Sequence, residues 1–120
     1  MDSAVFKGTR AAMGLSTASL ADRLGISKRM VDLWEAGRCP VPEDITKRLL
    51  EFWDHWVGEL DRLMNPTYAD AETLIYYRTE KSYTDAHPHA SFDYHEYNAL
   101  VTAAFAACAA EGLPRKIIWA

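Results

Sequence analysis

Cysteine is scarce in this chain. Only Cys39 and Cys108 occur in 120 residues, and their spacing forms no metal or redox motif. Two such thiols are expected to be buried or half-buried in a reducing compartment. Long apolar runs are missing as well. A membrane span needs ~18 residues, and the longest candidate, residues 99–110, is shorter and ends at Glu111. No basic stretch followed by an apolar one opens the chain, so no signal peptide is expected. A glycine-rich phosphate loop, a nucleophile elbow and a zinc-hydrolase motif are all absent. The carboxylates are scattered and mark no catalytic pair. These absences exclude a membrane protein, and they predict neither enzymatic activity nor a cofactor.

What is present is an uneven charge distribution. The formal net charge is −4. Residues 1–50 hold 8 Lys and Arg against 6 Asp and Glu, a balance of +2, while residues 51–120 hold 5 against 11, a balance of −6. Asymmetry of this kind signals partners of different charge for the two halves. A locally basic face is enough to attract phosphate, whatever the sign of the whole.

The first half reads as short helices separated by glycine. Val5, Phe6, Ala12 and Met13 have helical spacing over residues 3–13, closed by Gly14. Ser16 is a good N-cap, with Leu15 and Leu20 placed as a hydrophobic staple. The second helix is therefore expected over residues 17–24, stopped by Gly25. The pattern repeats with Ile26, the N-cap Ser27 and Val31, giving a third helix over residues 28–36 before Gly37. Two short helices joined in this way form a helix-turn-helix unit. Pro42 suits the first turn of a fourth helix over residues 42–64, and Glu43 and Asp44 complement its positive end. Ile45, Leu49, Phe52, Trp56, Leu60 and Leu63 form one apolar stripe on it, and Leu50, Trp53, Val57 and Met64 a second. Asn65-Pro66 ends the helix. Trp34, Trp53 and Trp56 read as core or interface residues.

The second half changes character. Residues 73–78 are β-branched and aromatic and predict a strand. Residues 79–90 are polar, carry Pro88 and predict a loop. Ser91 is expected to cap a helix over residues 92–111, ended by Gly112 and Pro114, and residues 116–119 predict a last short strand. His87, His89 and His95, with Asp85 or Asp93 nearby, read as loop polarity, so no metal site is expected. From Ala99 to Ala110 only Thr102 is polar. A helix apolar all round must be covered all round, and a β-α-β fragment of this size is too small to do it. A second subunit is therefore expected. The fold class that follows is mainly α: a helix-turn-helix domain of four to five helices over residues 1–65, then a small α/β (β-α-β) dimerisation domain over residues 66–120.

Arg10, Gly14, Leu15, Ser16, Leu20, Ala21, Leu24, Gly25, Ile26, Ser27, Val31, Trp34, Glu35, Ala36 and Gly37 carry a resemblance. Over residues 6–50 the chain resembles the helix-turn-helix family of phage repressors and Cro. More narrowly, Trp34 to Arg38, then Val41 to Asp44, and the α/β tail resemble the anti-CRISPR-associated autorepressors. The resemblance implies a cytoplasmic homodimer that represses transcription by binding an inverted repeat in double-stranded DNA.

It also implies roles. The recognition helix would be residues 27–35, opening at Ser27, with Lys28, Arg29 and Asp32 facing the groove. Arg29 suits guanine O6 and N7. Asp32 suits cytosine N4, or it orients Arg29. Thr17 falls where a helix N-terminus meets a phosphate; many relatives carry Gln there, and the shorter side chain weakens that contact. Arg38 falls near the DNA backbone. Arg10 and Glu35 match an internal salt bridge. Two other readings compete. One is an antitoxin-like module that binds a toxin through its acidic half. The other is RNA binding, which an α-helix serves less well because the A-form major groove is narrow.

Overall fold

Each of the first three helices begins on a side-chain oxygen. In a computed structural model, which describes residues 1–65 and 73–120, the Asp2 carboxylate accepts the Ala4 N–H at 2.7 Å and opens α1, Ser3–Ala12. Ser16 opens α2, Thr17–Leu24, and Ser27 opens α3, Lys28–Glu35. The apolar faces of these helices close one core. Phe6, Met13, Leu20 and Val31 are fully buried in it, beside Leu24 and Trp34. Phe6 and Trp34 meet edge to face, with ring centres 6.0 Å apart, which adds to the gain from burial alone.

α4, Glu43–Met64, follows with Glu43 and Asp44 in its first turn. Its first apolar stripe points inward: Ile45, Leu49 and Trp56 are buried. Of the second stripe, Leu50 and Val57 remain exposed. Pro66, expected as the stop, lies outside the described residues. The chain packs as two compact units, Met1–His55 and Trp56–Ala120. The division falls inside α4.

In the second unit β1, Thr73–Tyr76, pairs in parallel with β2, Lys116–Trp119, in the register Thr73 to Lys116 and Tyr76 to Trp119. Two helices lie between the strands in sequence: α5, Glu80–Ala86, and α6, Tyr94–Ala110. Leu74, Val101 and Ala104 form the core here, with Leu60, Leu63, Met64, Tyr76, Tyr97 and Ile117 packed on it.

Two sequence expectations are corrected in this unit. The loop over residues 79–90 contains α5, because Thr79 caps it by accepting the Ser82 N–H at 3.1 Å and Lys81 pairs with Asp85 one turn on. Polarity hid a helix that has a single buried side chain, Tyr83. The cap of α6 is Asp93 rather than Ser91. The Asp93 carboxylate accepts the Glu96 N–H at 2.9 Å, and Glu96 Oε1 accepts the Asp93 N–H at 3.2 Å, a reciprocal capping box.

The molecule is thus mainly helical, with six helices and one two-stranded parallel sheet among the described residues. No helix among those residues is long and apolar enough to cross a membrane.

Candidate nucleic-acid interface

The turn between α2 and α3 is set by Gly25. Its φ is +70°, in the left-handed region, and a Cβ placed there would meet no atom within 4 Å. The requirement is therefore conformational and not one of space. The Gly25 N–H donates to Asp22 O at 3.1 Å and the Ile26 N–H to Ala21 O at 3.0 Å, which closes the end of α2. Ser27 then starts α3 at once, its hydroxyl accepting the Met30 N–H at 3.4 Å.

α3 has two different faces. Val31 and Trp34 point into the core. Lys28, Arg29 and Asp32 are exposed, as is Ser27 before them. Positions i, i+1 and i+4 share one side of a helix, so the three charged side chains project together. Lys28 Nζ lies 2.9 Å from Asp32 Oδ2. Asp32 is thus paired with Lys28. Both partners are about half exposed, so the pair adds little stability. Among the described residues Arg29 has no ion-pair partner. Lys28 and Arg29 sit at the positive end of α3, where cations are disfavoured by a few tenths of a kcal/mol.

Thr17 is the first residue of α2 and is half-buried. Arg38 is exposed one residue beyond Gly37. Its N–H donates to Leu33 O at 3.0 Å, so its backbone is held by the end of α3 while its side chain stays in solvent.

α3 is held in place by charge as well as by packing. Arg10 Nε and Nη2 donate to the two carboxylate oxygens of Glu35, each at 2.8 Å, and Nη1 donates to Leu15 O at 2.7 Å. The pair is largely buried, with side chains 12% and 9% exposed. This is the expected internal salt bridge. Sequence reasoning missed a second clasp. Arg48 of α4 donates to Leu24 O at 2.9 Å and to Arg23 O at 3.4 Å, capping the end of α2 from outside. Arg23 in turn lies over the Phe52 ring, 5.6 Å from its centre. No local signal marks either contact, since each joins residues more than twenty positions apart.

The histidines of the second unit do not converge. His87 is packed among Tyr77, Tyr83 and Tyr97, and its Nε2 lies 3.1 Å from the Tyr77 hydroxyl. His89 and His95 are exposed. No metal-ligating group of three or more His, Cys, Asp or Glu occurs among the described residues. Burial, followed by the charges of Tyr97, Glu96, Asp93 and Tyr77, pushes the Tyr83 phenol up to about 12. Burial raises Tyr77, and burial first and then Tyr77 and Glu59 raise Tyr97. Asn98 holds this cluster to the strand end, its amide exchanging bonds with the Tyr77 backbone at 3.0 and 2.8 Å.

No protein-family model matches the chain, and no curated protein matches it.

Proposed function

We propose that the chain is a sequence-specific, DNA-binding transcriptional repressor. It acts as a cytoplasmic homodimer on an inverted-repeat operator and regulates its own gene. In this reading α1 to α4 form a helix-turn-helix domain of the phage repressor and Cro kind, and the β-α-β segment is the dimerisation domain. One observation carries the proposal: α3 is locked inward by Val31, Trp34 and the Arg10–Glu35 pair, yet presents Lys28, Arg29 and Asp32 outward on one side. A rigid helix with a charged outer face fits the major groove of B-DNA. Arg29 would read guanine, Asp32 would accept from cytosine N4, and Lys28 would meet a base or phosphate. Ser27 and Thr17, at helix starts, and Arg38 would touch the backbone. Two such helices on a dimer would enter grooves roughly 34 Å apart, or a multiple of that spacing.

Gel shifts against DNA upstream of the gene test this. Arg29→Ala is expected to cost about 1–3 kcal/mol per half-site and to relax preference at one base pair. Arg38→Ala is expected to weaken binding to all sequences alike and to flatten the salt dependence. Absence of binding in low salt would reject the repressor. The balance of −6 over residues 51–120 would then favour the second reading, an antitoxin-like module with a basic protein partner.

A further inference from the structure

We infer that the dimer forms by antiparallel crossing of two α6 helices about a two-fold axis between Ala106 and Ala109. The inference rests on the homodimer in the proposed function and says which surface makes it. α6 buries Leu100, Val101, Ala104 and Cys108 against its own unit. Thr102, Phe105, Ala106 and Ala109 lie on the opposite side of the helix and are exposed, and Leu113 continues their line past the helix end. The spacings of three and four make this one stripe. It carries no charged residue, whereas a helix face that stays in solvent normally does.

Three observations favour a second copy of this chain as the occupant. First, the stripe complements itself. When two copies run antiparallel with Ala106 of one opposite Ala109 of the other, Phe105 falls on the same flank as the partner's Ala109 and beside it, and Thr102 falls at the level of Leu113. Every large side chain then meets a small one, twice over by symmetry, as an isologous contact requires. Second, the stripe is continuous with an aromatic platform. The Thr102 hydroxyl is hydrogen-bonded to the Tyr76 hydroxyl, and the Tyr76 ring lies 5.5 Å from that of Trp119. Trp119 is 53% exposed and carries the Arg78 guanidinium 4.4 Å from the centre of its ring. Exposed aromatics of this kind anchor interfaces. Third, the area suits a weak dimer. At about 100 Å² for each half-exposed large side chain, with the alanine and threonine surfaces added, the crossing removes on the order of 500 Å² per protomer, against ~800 Å² in a standard interface. The dimer should therefore dissociate on dilution.

Sedimentation across the micromolar range should show the wild type moving towards twice the 13.5 kDa chain mass. Phe105→Glu and Ala106→Glu, both at exposed positions, should each weaken the dimer at least about tenfold with helix content unchanged. Ala106→Cys and Ala109→Cys proteins, mixed and oxidised, should form a mixed disulfide dimer faster than either alone, and the wild type should form none. The cysteine pair decides the matter if a glutamate variant fails to fold, since Ala→Cys on an exposed face leaves packing intact. A wild type that stays monomeric overturns this surface together with the dimer of the proposed function. A wild-type dimer that survives both glutamate changes and gives no mixed disulfide overturns this surface alone.

Discussion

The two units differ in the surface they turn outward and in what completes them. In Met1–His55 short helices are each capped by a nearby side chain, and the outer face of α3 is charged. In Trp56–Ala120 the helices are capped locally as well, but the sheet depends on distant partners: β1 needs β2, and Arg115, near the chain's end, donates to Met64 O at 3.0 Å. The outer face of its main helix is uncharged, and Phe105, Leu113, Ile118 and Trp119 are exposed. Local signals thus accompany a surface suited to water and phosphate. Non-local closure accompanies a surface with apolar area to spare.

The largest expected effect would break the first unit. Glu35→Ala strands the Arg10 guanidinium in a nearly buried site and should cost about 3 kcal/mol, read as a drop in the melting temperature. Replacing both residues by apolar ones of similar size should recover most of that loss. An unchanged melting temperature in Glu35→Ala would show that packing alone holds α3.

Next come the glycine turns, where one change can be made in both units. Gly25 and Gly112 have φ of +70° and +74°, and a methyl group added at either would meet no atom within 4 Å. Alanine should cost about 1–2 kcal/mol at each site, by conformation alone. A much larger loss at Gly112 in chemical denaturation would mean that the second unit tolerates less local strain than the first.

A smaller effect concerns the start of α6. Asp93→Ala removes half of the capping box and should cost about 1 kcal/mol in helix stability, more than Ser91→Ala costs. The reverse order in thermal melts would return the cap to Ser91.

The mildest test leaves neutral pH untouched. Tyr83 is raised from 10.0 to about 12 in the folded chain. A raised phenol means that the unfolded chain ionises first. The contribution of Tyr83 is intact below pH 10 and declines as pH climbs towards 12. Tyr83→Phe should blunt that decline in melts taken from pH 9 upward. Equal alkaline sensitivity in the variant would place the effect elsewhere.

How much could be read beforehand follows the same divide. The positions of α2 and α3 were legible because Ser16, Ser27, Gly25 and Gly37 act within a few residues of where they stand. The Arg10–Glu35 pair was legible only through resemblance, since its partners are far apart in sequence. α5 was missed because its one buried side chain gives no periodicity, although Thr79 and the Lys81–Asp85 spacing were available as signals. Asp93 and Glu96 also have the spacing of a capping box, a signal that the expectation of Ser91 left unused. Arg48 and Arg115 could not be read at all: each caps a carbonyl whose position only the folded backbone defines. Of the candidate site, the grouping of Lys28, Arg29 and Asp32 followed from helical spacing. That Lys28 pairs with Asp32 required the side chains themselves.

The parallel strand pair has a consequence for synthesis. Chains emerge from the ribosome N-terminal end first, and units fold as they appear. The first unit has its core residues once Leu49 is out. β1 emerges before α6, but its partner β2 comes only after it, from residue 116 on. Throughout that interval the apolar surface of α6 has no completed sheet to pack on. A ribosome that stalls or terminates between residues 110 and 116 would therefore release a chain whose first unit is finished and whose second is adhesive, a product for chaperones and proteases to remove.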